Sequence, residues 1–400
     1  MIRVVILGGG FAGVSAGISL RKKLKKFPVK ISIIDKNSYH LFTPSLYQAS
    51  TSDISPKNIT IPLKYIFNNG FDIVSGEIIK INTSENKIEI KNGDNIYYDY
   101  LIIALGSVPT YYAIPGLEEN TITFKNLNDA IKIKERIKNA CCKNGQCHKK
   151  TRVVIGGGGF AGTELAAELS SYEDKLALEN GLDKNCLDIT LIQGSDRLLK
   201  ELDEKVSNLA EERLTAFGVH LVLGEHIKNV TETKALTDKN NEYSYDILIW
   251  AGGIKANSLA SESNLPTNAQ GYITVNKFLQ AEGNPNIFAC GDIAEFIDSK
   301  TKKPAPNVVQ VAEEQGHAAG KNVARMILGQ EEKEYKYRHF GYIIPLRGRY
   351  AAGEFFGKIQ LYGLLAWILH QAAFLRYLFE ILPFPKSIFI WRKFEQKLYK

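Results

Sequence analysis

The 400-residue sequence predicts an α/β fold built from two similar units and a helical C-terminal region. Three observations carry this expectation. A β-branched run ending in a glycine-rich turn occurs twice, 149 positions apart. Each copy leads into a helical pattern of apolar residues. From Gly341 onward the composition changes and becomes rich in Leu, Phe, Trp and Tyr.

The first copy is Val4-Val5-Ile6-Leu7-Gly8-Gly9-Gly10-Phe11-Ala12-Gly13, with helical pattern from Val14 to Leu24. The second is Val153-Val154-Ile155-Gly156-Gly157-Gly158-Gly159-Phe160-Ala161-Gly162, with helical pattern from Thr163 to Ser171. Both read G-x-G-x-x-G between a strand and a helix. In that pattern the first glycine permits a tight turn, the second lets the backbone approach a pyrophosphate, and the third lets helix and strand pack closely. The helix N-terminus then presents free N–H groups to the phosphates. Two such motifs in one chain imply two Rossmann-like units, each holding a dinucleotide.

The remaining elements follow in order. Lys30-Ile31-Ser32-Ile33-Ile34-Asp35 reads as a second strand ending in an acid 22 residues after Gly13, the place of a carboxylate that takes ribose hydroxyls. Tyr98 to Ser107 reads as a strand running into a small-residue turn at Ala104-Leu105-Gly106. Asn286 to Asp292 reads as another, with Asp292 placed to bind a polyol. Phe124 to Ala130, followed by Ile131 to Ile137, reads as a capped helix. It leads into Cys141-Cys142-Lys143-Asn144-Gly145-Gln146-Cys147-His148. Four soft ligands fall within those eight residues, but adjacent cysteines seldom reach one tetrahedral site together. Flanking lysines mark a solvated connector, and no metal site is expected.

Composition narrows the class. Hydrophobic content of 44% and charged content of 23% are ordinary for a soluble globular chain. A net charge of +7 without clustered basic and stacking residues gives no nucleic-acid module. A strand starting at Ile2 leaves no room for a signal peptide, and five cysteines fit a reducing cytosol better than a disulfide framework.

These segments together resemble the two-dinucleotide flavoproteins. Within that group Asp35 to Gln48, containing Phe42-Thr43-Pro44-Ser45-Leu46-Tyr47, is similar to the F-x-P-L-L-Y segment of type II NADH dehydrogenases. Trp250-Ala251-Gly252-Gly253-Ile254 resembles their W-A-G-G-I turn, and Gly162-Thr163-Glu164-Leu165-Ala166-Ala167-Glu168-Leu169 their G-V-E-L-A-x-E-L helix. Val309 to Gly316 resembles their quinone-site helix, A-Q-x-A-x-Q. Ala104-Leu105-Gly106 departs by carrying Leu where Thr is usual.

The resemblance implies an FAD-binding domain over 1–112 and 271–340, an NAD(P)-binding domain over 113–270, and a membrane-surface or dimerisation region over 341–400. It implies that Gly8, Gly10, Phe11, Ala12, Gly13, Asp35, Lys36, Pro44, Ala104, Gly106, Gly291 and Asp292 serve FAD. Gly157, Gly159, Phe160, Gly162, Gln193 and Gly252 would serve the nicotinamide nucleotide, with Gln310 and Val311 also at a cofactor. The implied reaction is hydride transfer from the nicotinamide to flavin and then two-electron reduction of a membrane quinone, without proton pumping. Glu164 would sit near the two rings; otherwise it is an acid complementing a helix N-terminus. Gln310 and Glu314 lie four apart on one helical face and would serve the quinone. Glu314 stands where Gln is usual, either as a proton donor with a raised pKa or as a surface acid beside Glu313. Phe42, Tyr47 and Tyr350 would wall a quinone tunnel or simply be core.

Gln193 stands where NADH-specific members carry an acid. Charges of −1 and −2 at ~5 Å with an effective dielectric of ~20 repel by several kcal/mol before screening. Gln removes that repulsion and Arg197 is near in sequence, so NADPH is expected to be accepted alongside NADH.

At 100° per residue, Leu361, Leu364, Leu365, Ile368, Ala372, Leu375, Phe379 and Leu382 share one side of a helix over 361–382. Trp367, His370, Phe374, Tyr377 and Ile381 fall roughly opposite. The aliphatic stripe is expected to pack on the protein and the aromatic stripe to meet lipid head groups, with the exchange left open. The longest charge-free stretch is 17 residues and contains Gln360, His370 and Gln371, short for a crossing. Seven Lys/Arg and two acids over 358–400 suit an anionic membrane surface, contacted peripherally from the cytoplasmic side. A homodimer through the same region is the other reading.

Three competing enzymes and a non-enzyme remain at this stage. Sulfide:quinone oxidoreductase needs cysteines on both sides of the flavin, and none follows Cys290. Disulfide reductases carry a redox pair soon after the first glycine motif, and no cysteine precedes Cys141. A soluble reductase of a small redox protein has no use for an aromatic tail. A sensor scaffold would bind both nucleotides with little turnover.

Overall fold

The computed structural model describes residues 1–51, 56–67, 70–141, 150–180 and 186–398. The chain divides into two compact units. The first comprises Met1–Leu41, Thr60–Val108 and Ile254–Arg338, and the second Phe42–Ile59, Pro109–Gly253 and His339–Lys400. Residues 42–59 and 339–400 therefore cluster with the second glycine motif.

Each unit is built on a five-stranded parallel sheet. In the first the spatial order is Ile287–Ala289, Tyr100–Ile103, Ile2–Leu7, Val29–Asp35, Asp72–Ser75. In the second it is Ile122–Thr123, Ile247–Trp250, Thr151–Gly156, Leu187–Gln193, His220–Leu223. All the pairings are parallel. Strands covered on both faces read as continuous apolar runs, which is why Val4 to Leu7 and Val153 to Gly156 are buried throughout. Each sheet is accompanied by a three-stranded antiparallel meander, Ile78–Tyr97 in the first unit and Ile227–Ser244 in the second.

The duplication reaches individual bonds. Arg3 holds Asp99 through its backbone N–H at 2.7 Å and its guanidinium at 3.1 Å. Arg152 holds Asp246 in the same way, at 2.9 Å for both contacts. The Gly8 N–H donates to the Ile34 carbonyl and the Gly157 N–H to the Ile192 carbonyl, each at 2.8 Å.

The helices after the glycine turns span Phe11–Lys23 and Phe160–Asn180. In the first unit, helix Val309–Ile327 lies against Phe11–Lys23. Its Gly316 and Gly320 rest on the Ala12 and Ala16 carbonyls so closely that any side chain would collide with them. Small residues four apart on both helices make that approach possible.

The second unit ends in a three-stranded antiparallel sheet, Gly341–Pro345, Ala351–Phe355 and Ile359–Tyr362, and two helices, Gly363–Ile381 and Phe384–Leu398. Here the expected packing is exchanged. Phe374, Tyr377, Leu378 and Ile381 are buried, while Leu364 and Leu365 are each 55% exposed and Ile368 and Phe379 also face outward. The cause is a partner that periodicity does not reveal: Phe42 stacks on Phe374 with ring centroids 4.0 Å apart and lies 6.0 Å from Tyr377. Aromatic packing of this kind draws the aromatic stripe inward. Helix Gly363–Ile381 is long and apolar enough to cross a membrane by length and composition, although its aromatic side is committed to the protein.

Candidate functional site: two dinucleotide cradles

In the first unit the three motif glycines have three different surroundings. Gly8 has φ +101°, which only glycine adopts readily, and a side chain there would strike the Ala104 carbonyl. A side chain on Gly13 would strike the Gly8 carbonyl. A side chain on Gly10 would meet nothing within 4 Å. The outer glycines therefore shape the turn, while the middle one opens onto free space where a pyrophosphate can approach the backbone.

Asp35 completes this cradle. Its Oδ2 accepts from the Gly9 N–H and its Oδ1 from the Asn37 N–H, both at 2.7 Å. The Nδ1–H of His40 donates to the Gly9 carbonyl at 2.9 Å, and the ring of Phe11 stands edge-on to it at 4.8 Å. His40 is fully buried, and burial outweighs its backbone bond, pushing its pKa down to about 4. It is therefore a neutral strut under the turn. Across the sheet, Ala104 is buried and Gly106 takes φ +68°, where an added side chain would meet nothing within 4 Å. Asp292 accepts from the Ser107 hydroxyl at 2.8 Å. The Gly291 N–H donates to the buried Gln315 side chain at 2.8 Å, so helix Val309–Ile327 anchors this turn.

The same helix carries Gln310 and Glu314, both half-buried. The Gln310 amide donates to Glu314 at 3.1 Å and to the Arg338 carbonyl at 3.3 Å. Val311 is buried in the core. The buried Tyr335 hydroxyl holds its proton far above the usual phenol range, through burial and then the Glu314 charge.

The second unit repeats the cradle. Gly157 has φ +110°, and a side chain there would sit 2.6 Å from the Ala251 carbonyl oxygen. A side chain on Gly162 would strike the Gly157 carbonyl, while one on Gly159 would meet nothing within 4 Å. Gln193 takes the place of Asp35: its Oε1 accepts from the Gly158 N–H at 2.8 Å. Arg197, expected from its position to be free for a phosphate, is engaged. Its Nη1 donates to Ser207 at 3.3 Å and its Nη2 to the Lys200 carbonyl at 2.9 Å. Gly252 lies against the Trp250 ring, which is itself fixed by a 2.8 Å bond to the Thr110 carbonyl. Phe160 packs on Tyr342 at 5.4 Å.

Helix Phe160–Asn180 carries Glu164 and Glu168 one turn apart and half-buried. Burial pushes Glu164 up to about 8. It pushes Glu168 up to about 7, against the opposing pull of a 3.4 Å bond from Thr51 and the Arg347 charge. Pro44, Ser45 and Leu46 belong to the same unit, the last two buried. Tyr350 is a structural ring, with the Arg213 guanidinium 3.7 Å above it. Arg347 ion-pairs with Asp174. Of the cysteine connector, Cys142, Cys147 and His148 lie outside the described residues.

Sequence reasoning missed His40, Gln315, Thr51 and Ser207, all of which position site residues. His40 and Gln315 lie inside quoted segments, but neither their contacts nor those of Thr51 and Ser207 follow from the sequence pattern.

Two parallel sheets in one chain, each ending in the same open glycine cradle, define the two-dinucleotide oxidoreductase architecture. The chain belongs to the pyridine nucleotide-disulphide oxidoreductase family, whose model matches residues 2–316. It is 27% identical to the type II NADH:quinone oxidoreductase of Staphylococcus aureus over 89% of this chain and 90% of that protein. Among solved structures it resembles NDH2 from Plasmodium falciparum in complex with NADH, with TM-score 0.85, 18% identity, and coverage of 100% of this chain and 98% of that one. The sulfide:quinone oxidoreductase of Aquifex aeolicus shares the fold at TM-score 0.79 and 19% identity, over 95% and 91% of the two chains.

Proposed function

We propose that the chain is an FAD-dependent NADH:quinone oxidoreductase of type II that works at a membrane surface. The observation that carries this reading is the pair of cradles, since a transhydride enzyme needs one site for each dinucleotide. Gly8, Gly10, Gly13, Asp35, Gly106 and Asp292 fit the first, and Gly10, open on its free face, fits a pyrophosphate against the backbone. Gly157, Gly159, Gly162 and Gln193 fit the second. FAD, when bound, supplies the hydride acceptor and the two-electron donor. The protein's part is to orient, exclude water and move protons. A carboxyl of Glu164 raised to about 8 is protonated at neutral pH and places no negative charge beside a hydride donor. Gln310 and Glu314, tied to each other at 3.1 Å, are the pair that would meet the quinone in this reading.

The outward Leu364, Leu365, Ile368, Phe384 and Phe389 make the membrane-facing surface in this reading. A sulfide enzyme is disfavoured by Cys290, which is fully buried with its thiol pushed up to about 12 and so not a nucleophile. The test is anaerobic mixing with NADH in mild detergent. NADH should bleach the visible flavin band and a short-chain quinone should restore it. A flavin unchanged by NADH but bleached by sulfide would reverse the assignment.

A further inference from the structure

We propose that Gln193 leaves the ribose end of the second cradle without negative charge, so that this chain binds the 2′-phosphorylated nicotinamide nucleotide comparably to the unphosphorylated one. The inference rests on the second cradle being the nicotinamide nucleotide site. It concerns only which nucleotide that site takes.

The two strand ends form an internal comparison. In the first unit a carboxylate, Asp35, holds the turn N–H of Gly9 at 2.7 Å. In the second, Gln193 does the same for Gly158 at 2.8 Å with an amide oxygen. The structural duty is identical and the charge is not. A carboxylate at this place accepts from both ribose hydroxyls and repels a 2′-phosphate. An amide offers an acceptor without that repulsion.

The second half of the amide is also accounted for. The Gln193 Nε2 donates to the Ser195 hydroxyl at 2.5 Å, and that hydroxyl donates to the Arg197 carbonyl at 2.7 Å. This chain holds Gln193 in one orientation and puts a neutral hydroxyl beside the strand end. Two carboxylates near the strand end are engaged elsewhere: Glu225, whose N–H donates to the Gln193 carbonyl at 3.1 Å, accepts from Thr237 and Asn241, and Glu211 accepts from the Leu198 N–H at 2.8 Å. Asp196 is exposed, and Lys200 is exposed further along. Arg197 is bound to Ser207 and the Lys200 carbonyl. His226 lies against Gly194 and is held by Asp238 at 3.2 Å. Gln193 takes the Asp35 position, and among the described residues no side-chain cation is hydrogen-bonded to it. The site neither rejects nor selects the extra phosphate, so comparable binding follows, with no preference for NADPH.

The test uses nucleotide fragments that lack the nicotinamide, so hydride chemistry plays no part. The FAD-loaded full chain in detergent is titrated calorimetrically with ADP-ribose and with 2′-phospho-ADP-ribose. The expected dissociation constants agree within about thirtyfold. In Gln193→Glu the acid keeps an oxygen for the Gly158 N–H and restores the charge. The phosphorylated fragment should then weaken by about a hundredfold more than ADP-ribose. A wild-type preference for ADP-ribose larger than about thirtyfold overturns the inference without any variant and leaves the NADH reading intact. Binding of neither fragment overturns both.

Discussion

At the scale of single residues, the cradles separate glycines that shape the backbone from glycines whose outer face is open. A side chain added at Gly10 or Gly159 would meet nothing within 4 Å, whereas Gly8 and Gly157 have positive φ and backbone against them. Gly10→Val should therefore fold, with unchanged far-ultraviolet dichroism, yet purify without flavin. Gly159→Val should keep its flavin and lose about a hundredfold in affinity for ADP-ribose by calorimetry. Gly8→Val should fail to fold. His40 gives a prediction with a definite sign. Unfolded, it takes a proton near its ordinary value of 6.5; buried under Gly9 it does so only at about 4. The folded form thus binds fewer protons between those limits. Its contribution is complete above pH 6.5 and lost as pH falls toward 4, by about 3 kcal/mol. The urea midpoint of wild type should drop over that window, and His40→Gln should show a shallower drop. Equal slopes would mean that His40 is not the group responsible.

At the scale of elements, helix Phe160–Asn180 carries two carboxyls whose environment composition does not reveal. Glu164 and Glu168 lie one turn apart and are both raised by burial, the first to about 8 and the second to about 7. If Glu164 must be protonated beside the hydride donor, NADH-driven bleaching slows as pH rises through about 8. Glu164→Gln should remove that alkaline limb, as read by stopped-flow across the pH range. An unchanged limb in this variant would take Glu164 out of the proposed role. The paired helices of the first unit show the converse, a wholly structural use of pattern. Gly316 and Gly320 permit a close approach to Ala12 and Ala16, and that approach sets Gln315 against the Gly291 N–H.

At the scale of the whole molecule, the proposed membrane-facing surface is the outward side of the C-terminal helices. Leu364, Leu365 and Ile368 are outward on one helix, and Phe384 and Phe389, at 67% and 58% exposed, follow on the next. Replacing Leu364, Leu365 and Ile368 with Ser should weaken sedimentation with anionic vesicles by about a hundredfold, at roughly 1 kcal/mol for each partly inserted side chain. Flavin content and soluble-quinone turnover should be retained. Undiminished vesicle binding, together with loss of a dimer in solution, would assign this surface to subunit contact.

The sequence by itself determined the parts whose causes are local. A strand-turn-helix with glycine at three fixed spacings can hardly fold otherwise, so both cradles, Asp35, Gln193 and the order of the elements were legible. The C-terminal amphipathic pattern was legible too, because periodicity is local. Only the tertiary structure decided what depends on contacts distant in sequence. Which stripe of helix Gly363–Ile381 is buried turned on Phe42, more than three hundred residues earlier. That Arg197 is occupied turned on Ser207 in the following helix. The pKa values of His40, Glu164 and Glu168 likewise come from burial, which a sequence does not carry. Periodicity shows that a face is apolar or a residue is charged; what covers that face, or strips water from that charge, is set by packing.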